Sequence, residues 1–350
     1  LVSSPTELKW EYDAVWDSGE LTLFTNQIRV PTTSVIPGRH YRARVRHKDT
    51  TGRWSNWSAP LEFVPSPVDV VSELQTNLLP SEIMYYPPTQ GGIDGDQFEF
   101  IELKNIGSTV LDLSALTFTS GITFTFTNGT SLAPGQFFVL GRNAAALQIK
   151  YPGLVVNGVY SGKLKNSGDT ITLTHPYGAN IFSFTYGIRA PWPVTAAGHG
   201  FSLVWDPTSP AGYRASSQAG GSPGADELSS NIPHLLVNEI MTHPLPTGLD
   251  AIEIYNPGPD SADLGGWFVT DDAAYPWNYR IVGGTILPAN CYLVLDESQF
   301  NPTPGTGVSF GLSMQGEEVY LFSADAAGNL TGYAHGFSFG ASEQDVTFGR

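Results

Sequence analysis

The sequence holds one cysteine, Cys291, in 350 residues, which excludes a disulfide scaffold and any zinc site built from several thiolates. Charge is scarce too, at 14% of residues against about 25% in an average soluble protein. Basic residues are the scarcest, with 17 Lys and Arg against 33 Asp and Glu and a net charge of −16. That balance opposes a phosphate backbone and excludes nonspecific nucleic-acid binding. No apolar run is long enough to span a bilayer, so no membrane span is expected. The chain opens on Leu1 with no charged-then-apolar leader, and Phe348-Gly349-Arg350 reads as a strand cut short. The expectation is a piece of a longer polypeptide.

What is abundant points to short strands and turns. The chain has 38 Gly and 26 Pro, and it is 41% hydrophobic and 12% aromatic, a composition that argues against disorder. Alternation on a period of two is widespread. Tyr41, Ala43 and Val45 interleave with Arg42, Arg44 and Arg46, and Thr170, Thr172 and Thr174 interleave with Ile171 and Leu173. Such patterns describe strands with one buried and one wet face. Pro37-Gly38, Asn128-Gly129, Pro134-Gly135 and Gly283-Gly284 punctuate them as turns. One stretch, Asn143 to Lys150, reads as helix, capped by Asn143 and stopped by Pro152-Gly153. The spacing predicts an all-β fold.

The later part of the chain repeats itself. Glu82-Ile83-Met84 answers Glu239-Ile240-Met241, and the strand through Glu102 and Asn105 answers the one through Glu253 and Asn256. Thr130 to Leu140 aligns without a gap to Thr285 to Leu295, and Gly168 to Leu173 aligns to Gly316 to Leu321. A duplicated unit of this kind, with about seven short strands, reads as a β-sandwich.

Each repeat resembles a lamin tail domain, an immunoglobulin-like β-sandwich. The marks are Asn238-Glu239-Ile240-Met241, the Phe100-Ile101-Glu102-Leu103-Lys104-Asn105 strand, the Gly266-Trp267 turn and the Leu132-to-Leu140 hairpin. The first repeat departs at Pro80-Ser81 and at Ser114-Ala115-Leu116, where the second has Gly265-Gly266-Trp267. The first 65 residues resemble the later strands of a fibronectin type III domain. Tyr41 fits the corner tyrosine that folds back onto the backbone. Trp54-Ser55-Asn56-Trp57-Ser58 is similar to the Trp-Ser-x-Trp-Ser box of cytokine receptors. Arg42, Arg44 and Arg46 share a face, which suits a cation–π ladder with Trp54 and Trp57. The usual first two strands of such a domain are missing before Trp10.

The expected organisation is a partial fibronectin-like domain over 1–65, a linker over 66–78, a lamin-tail-like sandwich over 79–215, a linker over 216–233 and a second sandwich over 234–350. The resemblance implies a non-catalytic structural or adhesive segment of a large bacterial extracellular or cell-surface protein. Its partners would be other domains of the same polypeptide, further copies, or a surface or matrix polymer. Strand edges offer a route to assembly. The alternative is an accessory module that targets a secreted multidomain enzyme to a substrate or glycan. Proteins with this domain order often carry a CotH-type kinase-like domain elsewhere, and nothing in this sequence matches it.

Candidate chemistry is sparse, and no catalytic residue or organic cofactor is expected. Gly307-Val308-Ser309-Phe310-Gly311 and Gly336-Phe337-Ser338-Phe339-Gly340 have the spacing of a serine elbow, but they lie in strand patterns with no helix to follow. Asp94, Asp96 and Glu99 flank a glycine and suit a hard cation, so calcium is the one ion to consider. Glu102 and Glu253 recur beside Asn105 and Asn256, a pattern that suggests satisfying backbone N–H groups of a neighbouring loop. Trp192 and Trp277 stand in loop sequences, where aromatic rings can stack on sugars.

Overall fold

The computed structural model describes residues 2–4, 7–8, 13–23, 28, 30–36, 38–65, 69–229, 231–304 and 309–349. Leu1, Trp10, Pro37, Ser66, Pro67, Gly307, Val308 and Arg350 lie outside these residues. In the amino-terminal stretch, strands Tyr41–Ala43 and Leu61–Phe63 pair antiparallel, Tyr41 opposite Phe63.

In the first repeat the strands are β1 (Leu78–Met84), β2 (Phe100–Asn105), β3 (Thr117–Ser120), β4 (Ile122–Thr125), β5 (Phe137–Gly141), β6 (Gly158–Val159), β7 (Ser161–Gly162), β8 (Asp169–Thr174), β9 (Asn180–Tyr186), β10 (Leu203–Trp205) and β11 (Tyr213–Ala215). They form a six-stranded sheet, β6-β5-β2-β1-β10-β11, and a five-stranded sheet, β7-β4-β3-β8-β9. All pairings are antiparallel except β5 with β6. The core lies between the sheets: Ile83, Ile101 and Leu140 from one face Ile171, Leu173 and Phe118 from the other, all fully buried.

The second repeat continues with β12 (Leu236–Met241), β13 (Ala251–Tyr255), β14 (Phe268–Thr270), β15 (Tyr279–Arg280), β16 (Tyr292–Asp296), β17 (Gly316–Ala324), β18 (Leu330–Gly340) and β19 (Phe348–Gly349). Two four-stranded sheets, β16-β13-β12-β19 and β15-β14-β17-β18, enclose Ile240, Ile252, Leu295, Val269 and Leu321. The all-β class expected from alternation is what the chain adopts.

Both repeats close one end with the same device. Asn105 Nδ2 donates to the carbonyls of Thr109 and Leu132, and its Oδ1 accepts from Gly107 N. Asn256 does the same with Asp260, Leu287 and Gly258. A buried amide that satisfies three backbone groups fixes the turn after β2 and β13. The recurrence of Asn105 and Asn256 is therefore a folding requirement.

Three features correct the sequence reading. The stretch expected as a linker over 66–78 contains helix α1 (Val70–Asn77), capped by Asp69 and anchored by buried Leu74. A second helix, α2 (Ala144–Lys150), matches the one foreseen, and a third, α3 (Glu297–Phe300), is a single turn closed by an Asp296–Gln299 capping box. The stretch 216–233 also differs from an open linker, because its first part folds back onto the first repeat.

The Ser114-Ala115 departure has a physical cost. Ala115 occupies a left-handed conformation, φ +60°, where the aligned Gly266 has φ +94°. A side chain there costs about 1–2 kcal/mol, partly offset by the entropy a glycine loses on folding. Ala115→Gly is expected to stabilise the first repeat by about 0.5–1 kcal/mol, read as a higher midpoint in thermal or urea unfolding. An unchanged or lower midpoint would show that the strain is relieved locally.

Candidate functional site

A set of buried carboxylates lies on the outer face of the six-stranded sheet. Glu82 on β1 and Glu102 on β2 stand directly opposite each other, and both side chains are almost fully buried. They are buried because residues 216–227 run over them as a strap. Ser222 N donates to both oxygens of Glu82, at 3.0 and 3.2 Å, and Ser202 Oγ donates to Oε1. Gly224 N donates to Glu102 Oε2 at 2.6 Å, and Ser81 Oγ donates to Oε1 at 2.6 Å. A third carboxylate, Glu227, accepts from Ser217 N and from Ser222 Oγ. Lys104 pairs with Asp226 at the rim.

Glycine at 221 is a steric requirement of this strap. A Cβ on Gly221 would lie 1.8 Å from Glu82 Oε1, and its φ is +74°. The backbone therefore approaches the carboxylate as closely as it can.

Burial raises the carboxyl of Glu82 to about 8, with a further push from Glu102 and Glu227, while its Ser202 and Ser222 bonds pull the other way. Burial likewise raises Glu102 to about 7. Two opposed carboxylates under one strap cannot both ionise freely. A further buried carboxyl, Glu99, immediately precedes β2 and is raised to about 7 by burial. It accepts from Tyr160 Oη at 2.9 Å and Leu164 N at 3.0 Å, and Arg142 lies 3.5 Å away.

The carboxylates foreseen for calcium are otherwise engaged. Asp94 caps the 3-10 turn Gly95–Phe98 by accepting from Asp96 N. Asp96 pairs with Arg142 and Lys163, and Glu99 faces the buried Tyr160. Among the described residues no group of three or more His, Cys, Asp or Glu side chains could hold a metal ion. The grouping of Asp94, Asp96 and Glu99 is thus corrected: each turns to a different donor or cation, and the three do not gather around one point. Glu102 does accept a loop N–H, that of Gly224, but Glu253 accepts from the Asn238 side chain instead. The two recurring glutamates have diverged in task.

The aromatic residues divide in the same way. Trp192 is half-buried, with its ring centroid 5.9 Å from that of Tyr213 and its edge against Gly187, so part of the ring packs on the core. Trp277 is exposed on one side and meets His199 edge-on at 6.0 Å. In the amino-terminal stretch Arg46 lies 4.4 Å from the ring centroids of both Trp54 and Trp57, and Arg44 5.8 Å from Trp57. Tyr41 Oη accepts from Ile36 N at 2.9 Å. Arg42 stands opposite Glu62 in the strand register. Ser309 lies 3.4 Å from Thr303 Oγ1, and Ser338 is an exposed strand residue between two phenylalanines.

Sequence reasoning missed the contact between the repeats. The segment after β9 carries Val194, Thr195 and His199 onto the outer face of the β14-β17-β18 sheet, where Val194 packs with Phe268, Tyr320 and Phe322. Thr195 Oγ1 donates to the Gly332 carbonyl at 2.6 Å, and Arg189 pairs with Glu318. His199 Nε2 faces the Ala273 carbonyl at 2.8 Å, so that nitrogen carries a proton, and its ring lies edge-on to Phe322. Burial holds the imidazole below its ordinary range. A Cβ on Gly332 would lie 2.5 Å from the Ser216 carbonyl, so the repeats touch backbone to backbone. The signal was in the sequence: the outward positions Thr170, Thr172 and Thr174 become Glu318, Tyr320 and Phe322.

The raised carboxyls set a pH dependence. A group whose pKa is higher folded than unfolded binds its proton more tightly in the folded state, so its contribution is full below the unfolded value and lost through the folded one. That window runs from pH 4.5 to about 8 for Glu82 and from 4.5 to about 7 for Glu99 and Glu102. The unfolding midpoint of the first repeat is expected to fall across this window, and Glu82→Gln to flatten the fall. Gly221→Ala should destabilise at every pH. A midpoint that rises from pH 5 to 8 would contradict the burial argument.

Comparison with known proteins agrees with this architecture. No curated protein matches the chain, and no solved structure does. The family model described as Lamin Tail Domain matches residues 73–187 and 229–335, more than half of the chain and one stretch in each repeat. With two sandwiches closed by the same asparagine device, this chain belongs to the lamin tail domain family.

Proposed function

We propose that the chain is a non-catalytic structural segment of a larger extracellular or cell-surface protein, a stiff two-sandwich spacer that works through contacts between sandwiches. The observation that carries this reading is the docking of the 189–199 segment on the second repeat. It combines an apolar patch, an ion pair, one buried hydrogen bond and one half-buried one, and so opposes hinge motion between the repeats. The buried carboxylates support the same reading. They accept from strap and sheet donors, so their work is to hold the strap down. Further partners are other domains of the same polypeptide, other copies that meet it at strand edges, or a surface polymer. The extracellular placement rests on the likeness of the domain order to large secreted and surface proteins.

The test is whether the repeats move as one body. Residual dipolar couplings from both repeats of the full chain are expected to fit a single alignment tensor. Phe322→Asp should separate them into two tensors while each repeat stays folded. Independent tumbling of the repeats in the unaltered chain would overturn the spacer reading. Protease shaving of intact cells should release peptides from both repeats, and their full protection would overturn the surface placement.

A further inference from the structure

One sheet face of the second repeat is open where its counterpart in the first is sealed. The register aligns Val294 with Val139, Tyr292 with Phe137, Tyr255 with Lys104 and Glu253 with Glu102. In the first repeat α2, the loop after it and the strap cover this face, leaving Val139 1% exposed. In the second repeat Val294 is 54% and Tyr292 55% exposed. Helix α3, which follows β16 as α2 follows β5, is only one turn long and sends Phe300 into the core.

The chemistry of the open face is selective. In the first repeat Lys104 Nζ lies 5.0 Å from the centroid of Phe137, so a cation of the chain itself covers that ring. In the second repeat Tyr255 replaces the lysine and stacks on Tyr292, with centroids 4.6 Å apart. Glu253 and Glu239 remain on the same face. Between residues 234 and 349 the sequence has one basic residue, Arg280, against fourteen acidic ones. Arg280 lies on the other sheet, against Phe268 and the Ala326 carbonyl. The face thus combines an aromatic pair, two carboxylates and an exposed valine in a strongly negative field. Its in-chain cation has been replaced by a second ring.

We propose that this face is a docking surface for a basic extended segment of a partner protein. A Lys or Arg side chain lies over the Tyr255–Tyr292 pair and within reach of Glu253, and an apolar neighbour in the segment covers Val294. Aromatic faces attract such cations, and carboxylates beside them add charge-assisted hydrogen bonds. The negative field also steers a basic partner toward the surface. The inference rests on reading the chain as a contact-making module, and it names the contact.

The experiment is fluorescence anisotropy of the full chain with a labelled octapeptide of alternating Lys and Val, and with a Glu–Val octapeptide as the opposite-charge control. The Lys–Val peptide is expected to bind with salt-sensitive affinity and the Glu–Val peptide not to bind. Tyr292→Ser and Glu253→Gln should each weaken binding at least tenfold. Val294→Lys, which restores a cation to the face, should abolish it. Glu343→Gln, in the exposed loop after β18, should leave it unchanged. The side chains altered on the face are exposed or half-buried, so unfolding midpoints should match the unaltered chain. Absence of Lys–Val binding, or binding that survives Tyr292→Ser and Val294→Lys, overturns the proposal. So does a dimer of the chain that Tyr292→Ser dissociates, because the occupant is then a second copy. The shared or separate tumbling of the repeats is read independently, so the spacer reading and this one fail separately.

Discussion

Every sheet in a sandwich has two faces, and only one of them can line its own core. The other must be wetted by polar side chains or covered by more chain, because a broad exposed apolar face is a site for association. This constraint organises the tandem. The five-stranded sheet of the first repeat meets it with hydroxyls: Thr119 bonds to Thr174, Thr170 to Thr185, and Thr172 to Ser183. The equivalent sheet of the second repeat carries Phe268, Tyr320 and Phe322, and the first repeat covers them. The six-stranded sheet is covered by a helix, a loop and a strap. One fold thus meets the same requirement in three ways.

The carboxylates of Glu82 and Glu102 show what covering a polar face entails. Burying a carboxylate is unfavourable unless donors replace water. The strap supplies those donors from its own backbone, which only a glycine-rich segment can bring close enough. Gly221 and Gly224 are therefore tied to Glu82 and Glu102: a side chain at 221 would strike Glu82, and Gly224 N donates to Glu102. The same bonds satisfy strap N–H groups that would otherwise be stranded under the surface. The first repeat is in this sense completed by the chain that follows it, with the strap held at Glu102 and Lys104 beside the Asn105 turn of β2.

Alternation, turns and internal repetition made the sandwiches and their number legible before any coordinates. Helix α1 was not legible because eight residues, Val70 to Asn77, carry too short and polar a stripe to register as helical periodicity; Leu74 is its only buried residue. The strap was misread for a related reason. Gly220, Gly221, Ser222 and Gly224 have the composition of a linker, and what holds them down lies some 120–140 residues earlier. Asp94, Asp96 and Glu99 looked like one oxygen cluster because they are close in sequence. A 3-10 turn and the start of a strand send them to different partners. Local spacing reports on local geometry, and the partners that decide a polar residue's task are mostly distant.

The contact between the repeats has a direction. The first repeat donates the 189–199 segment and the second offers the aromatic face that receives it. A head-to-tail contact of this kind would propagate into a filament if every unit carried both halves. Here the first repeat's equivalent face is threonine, already hydrogen-bonded to itself, and has no apolar patch for Val194 of another copy to enter. Changing Tyr320 and Phe322 to threonine-like residues would remove the acceptor, and changing Thr172 and Thr174 to aromatics would create a second one. Two alternating positions on one strand, Tyr320 and Phe322 against Thr172 and Thr174, therefore set which repeat offers the face that receives the segment.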